Sequence, residues 1–292
     1  GRDQILVAST DGVGTKLMVA ALAGRHDTVG QDIVNHCVND ILVQGARPLF
    51  FMDYIGTSKV DRRVMAALVK GICRACRQNA CALLGGETAE MPRVYPPGEY
   101  DLVGTIVGVV PRKAVITGET IRPGDVILGL PSTGLHTNGY SLARRILFEQ
   151  AGLGMNDPLP GTGQRVGEAL LAVHRSYLKP ILALQRKVRI RGLAHITGGG
   201  FPDNVPRVLP AGVSAVFDRS AWRVPPLFAF LQKAGRVDRE EMYRVFNMGI
   251  GMVIIVRAAD ADRAMALLAD CRARPVRIGR IEKGSVPVRL EQ

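Results

Sequence analysis

Residues 5–16 have the sequence ILVASTDGVGTK, and their pattern predicts how the first part of the chain folds. The apolar run at the start ends in a Thr-Asp-Gly turn, which predicts a buried strand that delivers a loop. Gly12 and Gly14 would let backbone N–H groups of this loop approach an anion closely. Lys16 offers a positive charge to a phosphate, and Asp11 offers a carboxylate to a divalent cation. The loop lacks the GxxxxGK[ST] and GxGxxG spacings, so a plain strand-to-helix turn stays an open alternative.

The rest of the chain alternates short apolar runs with segments of helical periodicity. Strands are predicted at residues 48–55, 82–84, 102–110, 126–130, 193–197, 213–217, 252–256 and 276–281, and helices at residues 32–44, 62–79, 140–150, 166–173, 177–186, 226–234 and 259–271. Residues 152–165 are rich in Gly and Pro and are predicted to form a loop. This alternation predicts an α/β or α+β fold.

Pro111 ends the β-rich run at residues 102–110 and marks the expected boundary between two domains. The length of 292 residues also suits two domains. We therefore expect an N-terminal domain at residues 1–111 and a C-terminal domain at residues 112–292. The chain opens at Gly1 and a strand follows almost at once, so we expect that an upstream segment was removed or left unseen.

The composition excludes several classes of protein. With 47% hydrophobic and 22% charged residues, the chain is expected to be soluble and globular. No apolar run reaches the roughly 18 to 20 residues of a membrane-spanning helix, and no signal peptide opens the chain. The five Cys are an odd number, which favours reduced thiols and a cytoplasmic location. Cys73 and Cys76 have the spacing of half a zinc site, but no second pair completes it, so we expect core packing on a helix.

The formal net charge of +12 favours anionic partners. Nucleic-acid binders concentrate such charge on one face or interleave it with aromatic residues. In this chain Arg recurs throughout and aromatic residues are 5%, while the dense run RKVRIR at residues 186–191 alternates like a solvated strand edge. We therefore expect no nucleic-acid partner and keep a basic nucleic-acid-binding protein as a distant alternative.

Asp32, His36 and Asp40 are spaced by four residues and share one face of the predicted helix. Two carboxylates and an imidazole on one face could bind a metal ion. His36 is more simply explained as a partly buried side chain paired with Asp32 or Asp40. Asp40 is the stronger candidate, because the neighbouring amide of Asn39 also offers oxygen to a hard cation.

Three further loops join glycine to polar side chains. In GGETAEMP at residues 85–92, a paired glycine and a carboxylate follow a predicted strand, where α/β proteins place ligands. The run STGLHTNGYS at residues 132–141 offers hydrogen bonds to a phosphate or sugar, or else caps a helix. Three consecutive glycines at residues 198–200 favour close approach to a ligand.

Together these segments resemble the phosphoribosylformylglycinamidine cyclo-ligase (aminoimidazole ribonucleotide synthetase) family of purine biosynthesis. The resemblance rests on TDGVGTK at residues 10–16, CVNDILVQGARPLFFMDYI at 37–55, GGETAEMP at 85–92, GLHTNGYSL at 134–142, HITGGGFPDNVPRVLP at 195–210 and FNMGIGM at 246–252. It implies an α/β (α+β) subunit whose N-terminal domain has a mixed sheet, binds ATP and pairs with its mate in a homodimer. It also implies a ribonucleotide substrate and a ligase reaction in which ATP phosphorylates a formyl oxygen before an amidine nitrogen closes the ring.

The resemblance also implies roles for individual residues. The implied magnesium ligands are Asp11, Asp40 and Glu87; the ATP-binding residues are Asp11, Gly12, Gly14, Thr15, Lys16, Asn39, Gly85 and Gly86; the substrate-binding residues are Thr137, Asn138, Gly198, Gly199 and Gly200; and the catalytic residues are Asp40, His136 and Lys16. His136 would move a proton, although a loop hydrogen bond explains it equally well.

Two features depart from the expected pattern. The family carries a further glycine-rich stretch over the nucleotide, upstream of the position that matches Gly1. His36 and Met248 lie in family-like segments without matching a functional residue. The alternative within enzymes is a related ATP-dependent small-molecule kinase or a selenophosphate synthetase, and the latter would show a reactive Cys or selenocysteine near the upstream segment.

Overall fold

The computed structural model describes residues 3–292, which form two separate β-sheets covered by helices. The first sheet has the strand order β1-β4-β2-β3 and contains β1 (Gln4–Gly12), β2 (Arg47–Thr57), β3 (Ala82–Glu90) and β4 (Tyr100–Pro111). Strand β4 is antiparallel to both β1 and β2, whereas β2 and β3 are parallel. This mixed sheet agrees with the predicted α/β class.

Helices cover one face of the first sheet. They are α1 (Lys16–Ala23), α2 (Asp27–Leu42) and α3 (Arg62–Gln78). A side chain at Gly104 of β4 would overlap the Phe51 ring and come within 2.8 Å of Ile33, so glycine is needed for α2 to pack this closely. Asp61 caps α3 by accepting hydrogen bonds from the backbone amides of residues 63 and 64.

Among residues 3–292, no helix covers the other face of the first sheet. Paired strand residues share a face, so the register places Ala8, Val107, Phe50, Met52 and Tyr54 on this side. Leu6 lies on the same face and is 69% exposed. The result is an exposed, largely apolar sheet surface.

The second sheet has six strands in the order β12-β9-β11-β5-β10-β8. Its strands are β5 (Val126–Pro131), β8 (Gly192–His195), β9 (Val213–Asp218), β10 (Ile250–Val256), β11 (Val276–Lys283) and β12 (Val288–Glu291); a separate hairpin joins β6 (Pro158–Leu159) to β7 (Gln164–Arg165). The pair β12 and β9 is parallel and the other neighbours are antiparallel. Every residue of β10 is buried, as expected for a central strand.

Seven helices accompany the second sheet in the described part of the chain. They are α4 (Tyr140–Arg144), α5 (Val166–Leu170), α6 (Leu178–Gln185), α7 (Gly200–Asn204), α8 (Pro226–Gly235), α9 (Arg239–Val245) and α10 (Ala261–Asp270). Helix α4 continues into a π-helical turn at Arg145–Gln150. Between α5 and α6 the chain at residues 171–177 is irregular, and this segment reaches the candidate site.

Most predicted elements are found, with three corrections. Strand β3 does not end at Leu84 but continues through the paired glycine to Glu90, because its backbone pairs with β2 along that whole length. Residues 186–191 do not form a strand; exposed Arg189 alternates with buried Val188 and Ile190 in an irregular segment. Residues 152–165 contain the short β6–β7 hairpin.

Two compositional expectations can be compared with the structure. Among residues 3–292, no helix has both the length and the apolar character needed to cross a bilayer. All five cysteines are free thiols. Cys76 is buried on α3 and Cys73 is half-buried, as expected for packing on a helix.

Candidate active site

The segments with predicted chemistry meet where the first sheet adjoins the second. The hydroxyls of Thr15 and Ser141 lie 3.1 Å apart, which joins the DGVGTK turn to the loop before α4. The Ser9 hydroxyl donates to an Asp40 oxygen at 3.2 Å, which joins β1 to α2. Asp11 is on the same face of the sheet as α2, as its contact with His36 shows. The candidate site is therefore built from both halves of the chain.

Asp11 and Asp40 both approach the same nitrogen. His36 Nε2 lies 2.9 Å from Asp11 Oδ2 and 3.5 Å from Asp40 Oδ2. The side chains of Asp11 and Asp40 are 45% and 21% exposed, so both are open to a ligand. Burial alone would raise the pKa of each carboxyl, but His36 at Asp11 and His195 at Asp40 lower both pKa values below the usual range. Both ionised carboxylates are directed at the His36 nitrogen, so a metal ion could bind them only after that ring has turned away.

Four of the five histidines form a buried group that we call the histidine cluster: His36, His136, His174 and His195. His195 Nδ1 donates to Asp40 Oδ1 at 2.8 Å, and its Nε2 lies 3.1 Å from His174 Nε2. The ring of His136 stacks on that of His174, with centroids 3.9 Å apart. The Thr137 hydroxyl lies between His36 Nδ1 at 2.7 Å and His174 Nδ1 at 3.3 Å.

The four histidines of the cluster differ in the direction of their pKa shifts. Burial lowers the pKa values of His136 and His174 well below the usual range, and neighbouring positive groups add to the effect. Burial also lowers the pKa of His195, although Asp40 opposes it. Burial would lower the pKa of His36 too, but the hydrogen bond to Asp11 raises it overall. At neutral pH three imidazoles are therefore neutral, the state that ligates metals and accepts protons.

Lys16 does not face solvent. Its ammonium group lies 2.7 Å from Asp32 Oδ2 and donates to the backbone oxygens of Ala172 at 2.7 Å and His136 at 3.2 Å. Both charged side chains are fully buried, which lowers the pKa of Lys16 and raises that of Asp32 while each charge opposes the other's shift. Because all three N–H groups are engaged, the structure does not offer Lys16 to an ATP phosphate.

Asn39 is also used within the chain. Its oxygen accepts from the Tyr177 amide at 2.9 Å, and its Nδ2 donates to the Arg175 carbonyl at 2.8 Å. The side chain is fully buried. Asn39 therefore attaches α2 to the segment 171–177 and does not present an oxygen to the Asp40 side of the site.

Glu87 lies away from the other two predicted magnesium ligands. In the sheet register Glu87 pairs with Tyr54 and Tyr54 with Val103, on the face without helices, whereas Asp11 faces α2. Three strand spacings separate β3 from β1, or about 14 Å. The expectation that Glu87 joins Asp11 and Asp40 is therefore not met within one chain.

The glycines predicted to bind ATP differ in how much free space surrounds the position of a side chain. Gly14 has φ +68° with free space where a side chain would start, and Gly85 also has free space, so both could admit a ligand. A side chain at Gly86 would overlap the Asp53 backbone, whereas one at Gly12 would meet Val103 only at ordinary contact distance. Strand packing therefore accounts for Gly86.

The triple glycine is explained partly by the chain's own packing. Gly199 and Gly200 have φ values of +87° and +59°, and a side chain at Gly200 would overlap the Tyr243 carbonyl oxygen. Gly198 is freer: a side chain there would lie 3.2 Å from Asn138 Oδ1. Gly198 is therefore the glycine of the three that packing within the chain explains least.

His136 and Thr137 lie below the surface of that loop. His136 has φ +61° and is 1% exposed, and its Nε2 accepts from the Thr133 amide at 3.2 Å. Thr137 is 8% exposed. The side chains that do reach the surface near them are Asp11 and Asp40, so a proton transferred by His136 would have to pass through the cluster.

Two residues of the site were not among the predicted site residues. His195 lies three residues before the triple glycine, and that position was a usable signal. His174 has no local signal, because it lies in an irregular segment and reaches the site through contacts with residues more than 100 positions earlier in the chain.

Fold comparison defines the class first. Thiamine-monophosphate kinase from Stenotrophomonas maltophilia superposes with a TM-score of 0.74 at 19% identity, over 99% of this chain and 85% of that one. Hydrogenase maturation protein HypE, solved in complex with ATP, superposes with a TM-score of 0.71 at 19% identity, over 98% and 81%. At such identities the likeness establishes a shared two-sheet α/β fold.

Sequence comparison then establishes the family. The profiles described as AIR synthase related protein, N-terminal domain, and AIR synthase related protein, C-terminal domain, match residues 1–110 and 122–290. Phosphoribosylformylglycinamidine cyclo-ligase of Geobacter sulfurreducens is 54% identical over 97% of this chain and 81% of its own length. The protein of the same name from Alkaliphilus metalliredigens is 47% identical over 99% and 83%. This chain belongs to the AIR synthase family, which confirms the resemblance seen in the sequence.

Proposed function

We propose that this chain catalyses the ATP-dependent closure of the imidazole ring of aminoimidazole ribonucleotide from formylglycinamidine ribonucleotide, in purine biosynthesis. The observation that supports it most is that Asp11 and Asp40, both ionised and partly exposed, face one point beside the open turn at Gly14. Relatives at about 50% identity carry the name of this ligase.

The residues present fit a magnesium ion. Two carboxylates that both approach His36 Nε2 would bind one cation once the His36 ring has turned away, and carboxylate oxygen is the ligand type that Mg²⁺ prefers. Bound there, Mg²⁺ would neutralise charge on the ATP phosphates. The backbone amides beside Gly14 would hold phosphate oxygens, since no side chain blocks their approach.

Ring closure also requires a proton acceptor for the amidine nitrogen. His195 is buried and bonded to Asp40, which orients its ring. Because its Nδ1 donates to Asp40 and its buried Nε2 faces His174, His195 positions Asp40 and does not itself take the proton of the substrate. We assign Gly198 and Asn138 to substrate binding and His136 and Thr137 to the proton path. Lys16 and Asn39 are buried and hold these groups in position.

The test is to supply formylglycinamidine ribonucleotide with Mg-ATP and measure ADP and aminoimidazole ribonucleotide together. Equal amounts of both products are expected. ADP without the imidazole product would indicate a kinase, and neither product would reject the assignment. As a matched pair, Asp40→Asn should lose most turnover, and Asp270→Asn, at an exposed position on α10, should retain it.

We further propose a homodimer that buries the helix-free face of the first sheet. Leu6 and Leu84 are 69% and 65% exposed on β1 and β3, and large exposed apolar surfaces commonly mark interfaces. Light scattering should give twice the chain mass, and Leu6→Lys should give the monomer mass. We also propose a domain boundary between residues 111 and 112 and a cytoplasmic location.

A further inference from the structure

His174 and His195 bring two ring nitrogens unusually close together inside the protein. Their Nε2 atoms lie 3.1 Å apart, and the side chains of both residues are buried. A contact of this length between two nitrogens is favourable when a proton or another cation lies between them. The hydrogen bonds around each ring decide which atoms carry protons.

Asp40 determines the protonated nitrogen of His195. A carboxylate only accepts hydrogen bonds, so the 2.8 Å contact with Asp40 places a proton on His195 Nδ1. In the neutral ring Nε2 then carries a lone pair. That lone pair is directed at His174.

Asn39 indicates which nitrogen of His174 carries the proton. The Tyr177 amide and the Arg175 carbonyl identify which atom of the Asn39 amide is oxygen and which is nitrogen. The second hydrogen on Asn39 Nδ2 is then available to His174 Nε2 at 3.2 Å, which favours the tautomer in which that nitrogen accepts a hydrogen bond. His174 Nδ1 correspondingly carries the proton and donates to Thr137 Oγ1 at 3.3 Å.

Two lone pairs therefore face each other in a buried space. Neutral imidazole nitrogen is a preferred ligand of zinc and related divalent transition metals, and Mg²⁺ prefers oxygen. Two nitrogens that each lie about 2.0 to 2.1 Å from one ion can be 3.1 Å apart. The bond from His195 to Asp40 reproduces the carboxylate–histidine–metal arrangement that orients metal ligands elsewhere.

We propose that His174 and His195 bind one divalent transition-metal ion of the zinc class through their Nε2 atoms, at a site separate from the magnesium site at Asp11. His136 is the candidate third donor, because ligand atoms of the three histidines lie within 4.8 Å of one another, but its ring stacks on that of His174 and must turn to face the same ion. Its Nδ1 is buried and has no hydrogen-bond partner among residues 3–292. To join, His136 must give up its contact with the Thr133 amide, so it contributes less than the other two.

The ion would stabilise the junction between the two halves of the chain. His174 and His195 belong to the C-terminal half, and both are bonded to α2 of the N-terminal half through Asn39 and Asp40. Binding to the folded state alone raises stability. This inference does not depend on the proposed reaction, since its readout is metal binding.

The full chain is stripped with a chelator and titrated with Co²⁺, whose visible absorption reports nitrogen ligands, and then with Zn²⁺. We expect one ion per chain by elemental analysis, no displacement by excess Mg²⁺, and a Zn²⁺-dependent rise in Tm. Loss of a residue that is hydrogen-bonded to a metal ligand typically weakens metal binding about 10- to 100-fold. The loss of a ligand itself, in His174→Gln or His195→Gln, should weaken it more. His136→Gln should weaken it less than either.

Two controls locate the ion. His26→Gln removes the one histidine outside the cluster and should bind as the unaltered chain does. The competing group of metal ligands is His36, Asp40 and His195. His36→Gln should also retain Zn²⁺, and it would lose it if the ion lay at that group. Gln at position 174 keeps an acceptor for Asn39, and circular dichroism in chelator checks that the variant folds.

The proposal is overturned if the unaltered chain takes up no stoichiometric Co²⁺ or Zn²⁺, or if folded His174→Gln binds them equally well. Should both glutamine variants fail to fold, the unaltered chain still decides the matter. A Co²⁺ spectrum without nitrogen-ligand bands, or no change of Tm with Zn²⁺, counts against the site.

Discussion

Replacing Lys16 by Met tests the interpretation that this residue supports the site from within. The substitution keeps the length of the side chain and removes the charge that faces Asp32 at 2.7 Å. Asp32 would remain fully buried as an unpaired carboxylate, and breaking a buried pair in this way costs about 3 to 5 kcal/mol. The carbonyls of His136 and Ala172 would also lose a donor. At about 2 to 4 °C per kcal/mol for a chain of this size, we expect Tm to fall by about 6 to 20 °C.

Thermal unfolding followed by fluorescence measures the effect, with Lys113→Met at an exposed position as the matched control. The double variant Lys16→Met with Asp32→Asn removes the unpaired negative charge. It keeps an oxygen that can accept a hydrogen bond from the His174 amide, as Asp32 Oδ1 does at 2.7 Å. It should recover more than half of the lost Tm. A loss no larger than that of the control, or a double variant no more stable than the single one, would refute the reasoning.

Three further outcomes are expected. Asp40→Asn should keep the Tm within a few degrees and lose at least about 10-fold in turnover, because a ligand of the proposed magnesium site is neutralised; unchanged turnover at saturating Mg-ATP would remove Asp40 from that role. The three cluster imidazoles whose pKa values are lowered bind protons more weakly when folded, so stability should be full above about pH 6.5 and fall as the pH decreases towards 5. In chelator, Tm measured against pH should fall less steeply for His174→Gln, and equal slopes would contradict the assignment. Gly200→Ala should lower Tm strongly, because the added methyl overlaps the Tyr243 carbonyl and φ is +59°; Gly163→Ala, at φ +70° with free space around it, is the control, and equal losses would show that backbone strain alone matters.

Part of the site could be predicted from local sequence. The apolar run before Asp11 forms β1, and the four-residue spacing of Asp32, His36 and Asp40 forms one face of α2. These features depend on residues a few positions apart, and hydrophobic periodicity records such local preferences directly. The preference for a paired His36 also agrees with the structure, which pairs it with Asp11 and Asp40.

Other parts could not be predicted because they depend on which distant segments pack together. Glu87 follows a paired glycine that looks like a loop, yet the pairing of β3 with β2 places it within a strand on the opposite face from Asp11. Lys16 looks like a phosphate ligand in a loop, but the fold places it against Asp32 and the carbonyl of residue 172.

The sequence by itself determined the α/β class and the family and pointed to the carboxylates of Asp11 and Asp40, since periodicity and short motifs depend on neighbouring residues. Only the tertiary structure decided that four histidines meet, that Lys16 is buried and that Glu87 lies elsewhere. The physical reason is that these contacts join residues far apart in the chain, in several cases more than 100 positions. Their formation depends on the packing free energy of the whole molecule. The sequence of one short segment does not reveal that free energy.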